Sequence, residues 1–130
     1  MRFLIDTHCW LWLQASPSRL SPDTLSLLES PANDLLFSAA SSWEIAIKYA
    51  LGKLPLPEPP SRYVPSRMAA SGSRGLAVEH AHTLRVAELP PHHRDPFDRL
   101  LVAQAQIERL VLVTVDRQFE MYEVDVRFAQ

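Results

Sequence analysis

The chain has 130 residues, 47% hydrophobic and 22% charged, with 13 Lys+Arg against 15 Asp+Glu and a formal net charge of −2. That is the composition of one globular domain, and it excludes a disordered chain, a collagen-like chain, a bare coiled coil and a strongly basic nucleic-acid coat. No run approaches the roughly 20 apolar residues of a membrane span, Asp6 and His8 interrupt the apolar N-terminus in a way a signal peptide would not, and the lone Cys9 points to a cytosolic protein with no disulfide and no cysteine-rich zinc site.

Residues 2–5 (RFLI) are an apolar run too short for a helix and predict a buried strand ending at Asp6. In THCWLWLQAS, Trp10, Leu11 and Leu13 are spaced for a helix that ends near Ser16-Pro17. Ser21-Pro22-Asp23 is a helix start, with serine as N-cap and proline at the first helical position. Leu25, Leu27 and Leu28 give that helix its apolar face, and Ser30-Pro31 stops it. Leu35-Leu36-Phe37-Ser38 predicts a second strand. Serines 38, 41 and 42 lead into the helix WEIAIKYALGKL, with Gly52 as its C-cap. Pro55, Pro57, Pro59 and Pro60 support neither a helix nor a central strand, so they predict a stiff extended connection.

Residues 61–71 read as helical, Gly72 and Gly75 break the chain, and Leu76-Ala77-Val78 predicts a third strand. A helix over 80–88 follows, then a loop, Pro90-Pro91-His92-His93-Arg94. Asp95-Pro96 starts a helix carrying Phe97, Leu100, Leu101, Ala103 and Ile107. Leu110–Thr114 (LVLVT) is the clearest buried strand, Asp116 starts a short helix, and Tyr122–Phe128 supplies a last edge strand. Short apolar strands alternating with helices predict an α/β domain with a mainly parallel sheet and helices on both faces. In such folds ligands sit outside the carboxyl ends of the strands, where the strand order reverses.

Four acids stand out by placement. Asp6 ends the first strand, Asp116 lies just past LVLVT, and Glu44 and Asp98 lie in the first turns of two helices. Strand ends and the starts of the following helices share one edge of a parallel sheet, so four carboxylates distant in sequence can meet there. Packed carboxylates repel and raise one another's pKa. Mg²⁺ or Mn²⁺ removes that repulsion, because hard ions prefer carboxylate and water oxygens. Two such ions about 4 Å apart activate a water and stabilise the leaving oxygen of a phosphodiester. Each acid also has a structural reading. Asp6, Asp95 and Asp116 suit N-caps. Ser41-x-x-Glu44 matches a capping box, Glu44 can pair with Lys48, and the helix dipole favours Asp98. The pattern alone leaves both readings open.

FLIDTHCWLWL, SAASSWEIAIKYALGKL, HHRDPFDRLLVAQA and LVTVDRQF stand in the order, and near the spacing, of the motifs of PIN-domain proteins. The chain resembles the VapC-type endoribonuclease toxins of type II toxin–antitoxin pairs, in the branch with Asp-Thr-His at the first strand, and it does so from residue 2 to about residue 128. The resemblance implies a three-layer α/β/α sandwich over residues 1–130, with a mainly parallel sheet of about five strands. It maps the family's acidic quartet onto Asp6, Glu44, Asp98 and Asp116 as catalytic, metal-holding residues, with Asp95 left as an N-cap. It implies a Mg²⁺- or Mn²⁺-dependent endoribonuclease acting on RNA, a homodimer, and a cognate antitoxin through which alone the toxin reaches operator DNA.

Around the quartet, Thr114 is expected to orient Asp116 or a water. Lys48, Arg99 and Arg117 are expected either to hold an RNA phosphate or to offset the acidic cluster. His92 and His93, in the loop before Asp95, could touch RNA but read first as solvated loop histidines. Trp10, Trp12 and Trp43 read as core, a partly exposed one marking a protein interface. Two other readings stand beside this one: a non-catalytic PIN-like interaction module, and a DNA- or structure-specific nuclease of the same fold.

Overall fold

The structure, a computed structural model, describes residues 1–130. Five parallel strands form one sheet in the order β3-β2-β1-β4-β5: β1 Arg2–Ile5, β2 Asp34–Ser38, β3 Ser73–Leu76, β4 Val111–Thr114 and β5 Val126–Phe128. Six helices connect them: α1 Thr7–Ala15, α2 Pro22–Glu29, α3 Ala39–Ala50, α4 Pro60–Ser71, α5 His80–Arg85 and α6 Pro96–Glu108. The chain runs outward from β1 to β3 and then returns to the other side of β1 with β4. The strand order therefore reverses between β1 and β4, and a crevice opens beyond their carboxyl ends.

Side-chain alternation along the strands divides the core into two layers. Phe3 and Ile5 of β1, Leu35 and Phe37 of β2 and Val113 of β4 face one layer, with Trp10, Leu28, Ile45, Tyr63 and Val64. Leu4, Leu36 and Leu112 face the other, with Leu101, Val102 and Ala105 of α6 and with Phe119 and Tyr122. Trp10 anchors the first layer. It is fully buried, its ring stacks on Phe37 at 4.2 Å, and its indole N–H donates to the Ser73 hydroxyl at 3.0 Å. Burying a side chain of this size contributes several kcal/mol, at about 25 cal/mol per Å² of apolar surface.

Where elements differ from the expectation, local reasons are visible. The third strand is Ser73–Leu76, not 76–78, because its residues pair with β2 from Leu35↔Ser73 to Ser38↔Leu76. It is an edge strand whose Arg74 and Gly75 are exposed, so it shows no apolar run. The last strand shrinks to Val126–Phe128, since Tyr122 closes the 3₁₀ turn Arg117–Met121 and packs inward. The α3 helix starts at Ala39, where Ser38 caps it by accepting from the Ala40 N–H at 3.0 Å. Ser41 then lies inside the helix, buried and hydrogen-bonded with Thr7, and the Ser41–Glu44 capping box does not form. Gly52 takes φ +72°, the left-handed conformation expected just past a helix end.

Candidate active site

Asp6 leaves β1 as the N-cap of α1, accepting the Cys9 N–H on Oδ1 at 2.8 Å. Its Oδ2 accepts from the Thr114 hydroxyl at 2.5 Å. Burial pushes this carboxyl above its ordinary pKa, and the hydrogen bonds from Thr114 and Cys9 work against that. The Thr114 hydroxyl oxygen also accepts the Asp116 N–H at 3.0 Å. One side chain at the end of β4 thus fixes the acid after β1 and the backbone of the acid after β4. Asp116 caps the 3₁₀ turn by accepting the Gln118 N–H on Oδ1 at 2.9 Å, which leaves Oδ2 facing the Nε2 of His93 at 2.8 Å.

Two helices supply the other acids. On α3, Glu44 is buried and pairs with Lys48 one turn later at 2.6 Å. Asp98 lies in the first turn of α6, where Asp95 is the N-cap and accepts the N–H groups of Phe97 and Asp98. The Asp98 carboxyl is pushed up to about 7, first by burial and then by the charges of Asp95, Glu44 and Asp6, with His93 opposing. Asp6, Glu44, Lys48, Asp95, Asp98 and Asp116 line one cleft of about 340 Å³, walled also by Thr7, His8 and Trp12.

The quartet proposed from sequence therefore meets in one place. Lys48 also lines the cleft, and the fully buried Thr114 holds Asp6 in it without lining it. Arg99 does not join them: its guanidinium donates to the carbonyls of Val86, Leu89 and Pro90 and clamps the loop before α6. Arg117 is also turned away, lying over the Phe128 ring at 3.9 Å with Glu120 beside it. Both were expected either to hold RNA phosphate or to offset the acidic cluster; Arg99 is used by the fold instead, and Arg117 stays largely exposed without lining the cleft. Trp10 is core as expected, whereas Trp43, on α3 beside Glu44, is 61% exposed and meets Phe97 edge-on.

His93 is the residue that sequence reasoning missed. It is buried, not a solvated loop histidine, and it bridges the Tyr122 hydroxyl and Asp116. The polar loop around it concealed this, because its partners lie 23 and 29 positions away. One ligand atom each from His93, Asp98 and Asp116 lie within 4.8 Å of one another. A half-buried carboxyl pushed up to about 7, first by desolvation and then by neighbouring carboxylates, with oxygen donors on four elements, fits a hard divalent cation.

The model of the PIN domain family matches residues 3–125. Ribonuclease VapC16 of Mycobacterium tuberculosis (strain ATCC 25618 / H37Rv) is 54% identical over 61 residues, which are 47% of this chain and 43% of that protein. The match thus spans less than half the length of that relative. Among solved structures, VapBC2 from Rickettsia felis, bound to a DNA fragment from its promoter, is similar with a TM-score of 0.76 and 16% identity, covering 100% of both chains. VapBC-1 from nontypeable Haemophilus influenzae gives 0.69 and 16%, covering 98% of each chain. A toxin–antitoxin complex from Klebsiella pneumoniae gives 0.56 and 20%, covering 89% of this chain and 88% of that one. At these identities the likeness is one of fold.

Proposed function

The chain belongs to the PIN domain family, and from that premise we propose that it is a metal-dependent endoribonuclease, the toxin of a type II toxin–antitoxin pair. The observation that carries this reading is the meeting of Asp6, Glu44, Asp98 and Asp116, from four separate elements, in one cleft at the β1–β4 switch point. Capping explains Asp6 and Asp116 singly, but it gives no reason for a buried Glu44 and a half-buried Asp98 to lie beside them. The ribonuclease name of the partly matching relative supports the same activity.

Asp6, Glu44, Asp98 and Asp116 are the residues that would hold Mg²⁺ or Mn²⁺. Such an ion, when bound, neutralises charge on a phosphodiester and promotes its attack by water. Thr114 keeps the Asp6 carboxylate in one orientation. Lys48 balances Glu44 at the cleft wall and is the cation best placed to meet an incoming phosphate. The products expected are a 5′-phosphate and a 3′-hydroxyl.

In this reading the toxin is a homodimer, and a cognate antitoxin lays a segment across the acidic edge, offering an arginine to the carboxylates. Operator DNA is met through the antitoxin, in keeping with a net charge of −2. Fluorescent RNA and single-stranded DNA pools, incubated with the protein in Mn²⁺, Mg²⁺ or chelator, test the proposal. RNA cleavage that needs metal and outpaces DNA cleavage is the expected result. No cleavage in any metal would make the chain a non-catalytic module, and preferred cleavage of DNA would make it a deoxyribonuclease.

A further inference from the structure

We propose that His93 and Tyr122 form a buried positioning pair that aims the Asp116 carboxylate into the cleft. The inference rests on the reading of that cleft as a divalent-metal site. Asp116 sits on the loop after β4, and its side chain is 39% exposed. Its only anchor within its own element is the Gln118 N–H on Oδ1. A carboxylate so placed would otherwise share its time among rotamers, and each alternative would dilute the cleft's affinity for a cation. His93 removes that freedom from behind: it contacts Oδ2 without itself lining the cleft.

The packing explains why a histidine can hold another residue still. Its side chain is 4% exposed, its ring lies stacked against Tyr122 with centroids 5.5 Å apart, and it meets Phe119 at 4.5 Å. Phe119 and Tyr122 belong to the core layer beneath α6, so the ring's orientation is inherited from the core. Both ring nitrogens are engaged. The carboxylate only accepts, so Nε2 carries the proton given to Asp116 at 2.8 Å. In the neutral ring Nδ1 then accepts from the Tyr122 hydroxyl at 3.0 Å, which selects this tautomer. The chain Tyr122 → His93 → Asp116 therefore runs in one direction, from a core phenol to an acid at the cleft. Partners that orient metal-holding groups in this way typically control about 10- to 100-fold in affinity.

The test is calorimetric titration of Mn²⁺ alone into the wild type, His93→Leu, His93→Gln, Tyr122→Phe and Asp116→Ala, with the double variant His93→Leu/Asp116→Ala. His93→Leu should weaken Mn²⁺ binding by about ten-fold or more. His93→Gln, whose amide N–H can reach the same oxygen, should recover most of that loss. Tyr122→Phe keeps the ring stack and should give a smaller loss. In the Asp116→Ala background His93→Leu should cost nothing further. An unchanged affinity in both His93→Leu and Tyr122→Phe overturns the proposal, and so does an undiminished effect of His93→Leu without Asp116, which would make the imidazole a ligand in its own right. If His93→Leu does not fold, Tyr122→Phe and His93→Gln decide by the same criteria. Absence of Mn²⁺ binding by the wild type would instead remove the reading of the cleft on which the inference rests.

Discussion

The Thr114 hydroxyl donates to Asp6 Oδ2 at 2.5 Å, joining the ends of β4 and β1 across 108 positions of sequence. The same oxygen accepts the backbone N–H of Asp116 at 3.0 Å. One threonine thus ties two acids of the site to the two central strands that position them. Thr114→Val keeps the shape and removes both bonds. It should cost about 1–3 kcal/mol of stability and lower RNA cleavage about 10- to 100-fold, with Thr114→Ser close to wild type. Denaturant melts and initial rates on an RNA pool check both effects; wild-type rates in Thr114→Val would deny the hydroxyl its role.

Asp6→Asn and Asp98→Asn should each abolish RNA cleavage in folded protein, because an amide is a poor ligand for a hard divalent ion. Asp95→Asn should be far milder. Asp95 accepts the Phe97 and Asp98 N–H groups as N-cap of α6, and asparagine caps almost as well. Complete loss in Asp95→Asn with activity kept in Asp98→Asn would exchange the roles of these two aspartates.

The Asp98 carboxyl, held up to about 7, makes metal-free stability depend on pH. Its unfolded value is the ordinary 3.8, so between about 4 and 7 the folded state binds more protons than the unfolded one. Stability in chelator should therefore fall as pH rises through that window and level off above it. Asp6, raised by burial, acts in the same direction. In Asp98→Asn the slope should flatten, leaving the variant more stable than wild type at pH 8 and closer to it at pH 5. Urea midpoints across this range measure the slope. Mn²⁺ affinity should run the opposite way, rising with pH to about 7 as the proton is displaced.

Metal should stabilise the folded protein by mass action, by about 2.7 kcal/mol at 100 times Kd. In thermal melts the wild type should climb across a Mn²⁺ titration. Asp6→Asn relieves the cluster of one charge and keeps a residue able to cap α1. It also gives up one of the two acceptor oxygens that serve Thr114 and Cys9, so in chelator the two effects oppose, and the variant should gain less from Mn²⁺ than wild type. Equal metal-induced shifts in the two proteins, or none at millimolar metal, would count against Asp6 as a ligand.

Features that depend on near neighbours in the chain were legible in the order of residues alone. The apolar runs at 2–5 and 110–114 marked the central strands β1 and β4. Asp95-Pro96 marked the start of α6, and the four-residue spacing of Glu44 and Lys48 marked their ion pair. With the parallel order that such alternation of strands and helices requires, these placed four acids at one edge. Where the remaining polar groups went depended on contacts between residues far apart in the chain. Arg99 and Arg117 sit beside two of the acids in the chain, yet helical and turn geometry points successive side chains in different directions, toward loop carbonyls in one case and the Phe128 ring in the other. The polar loop holding His93 gave no sign of burial. Its fate depends on a phenol and a carboxylate that come into reach only when β4 and the turn after it pack under α6.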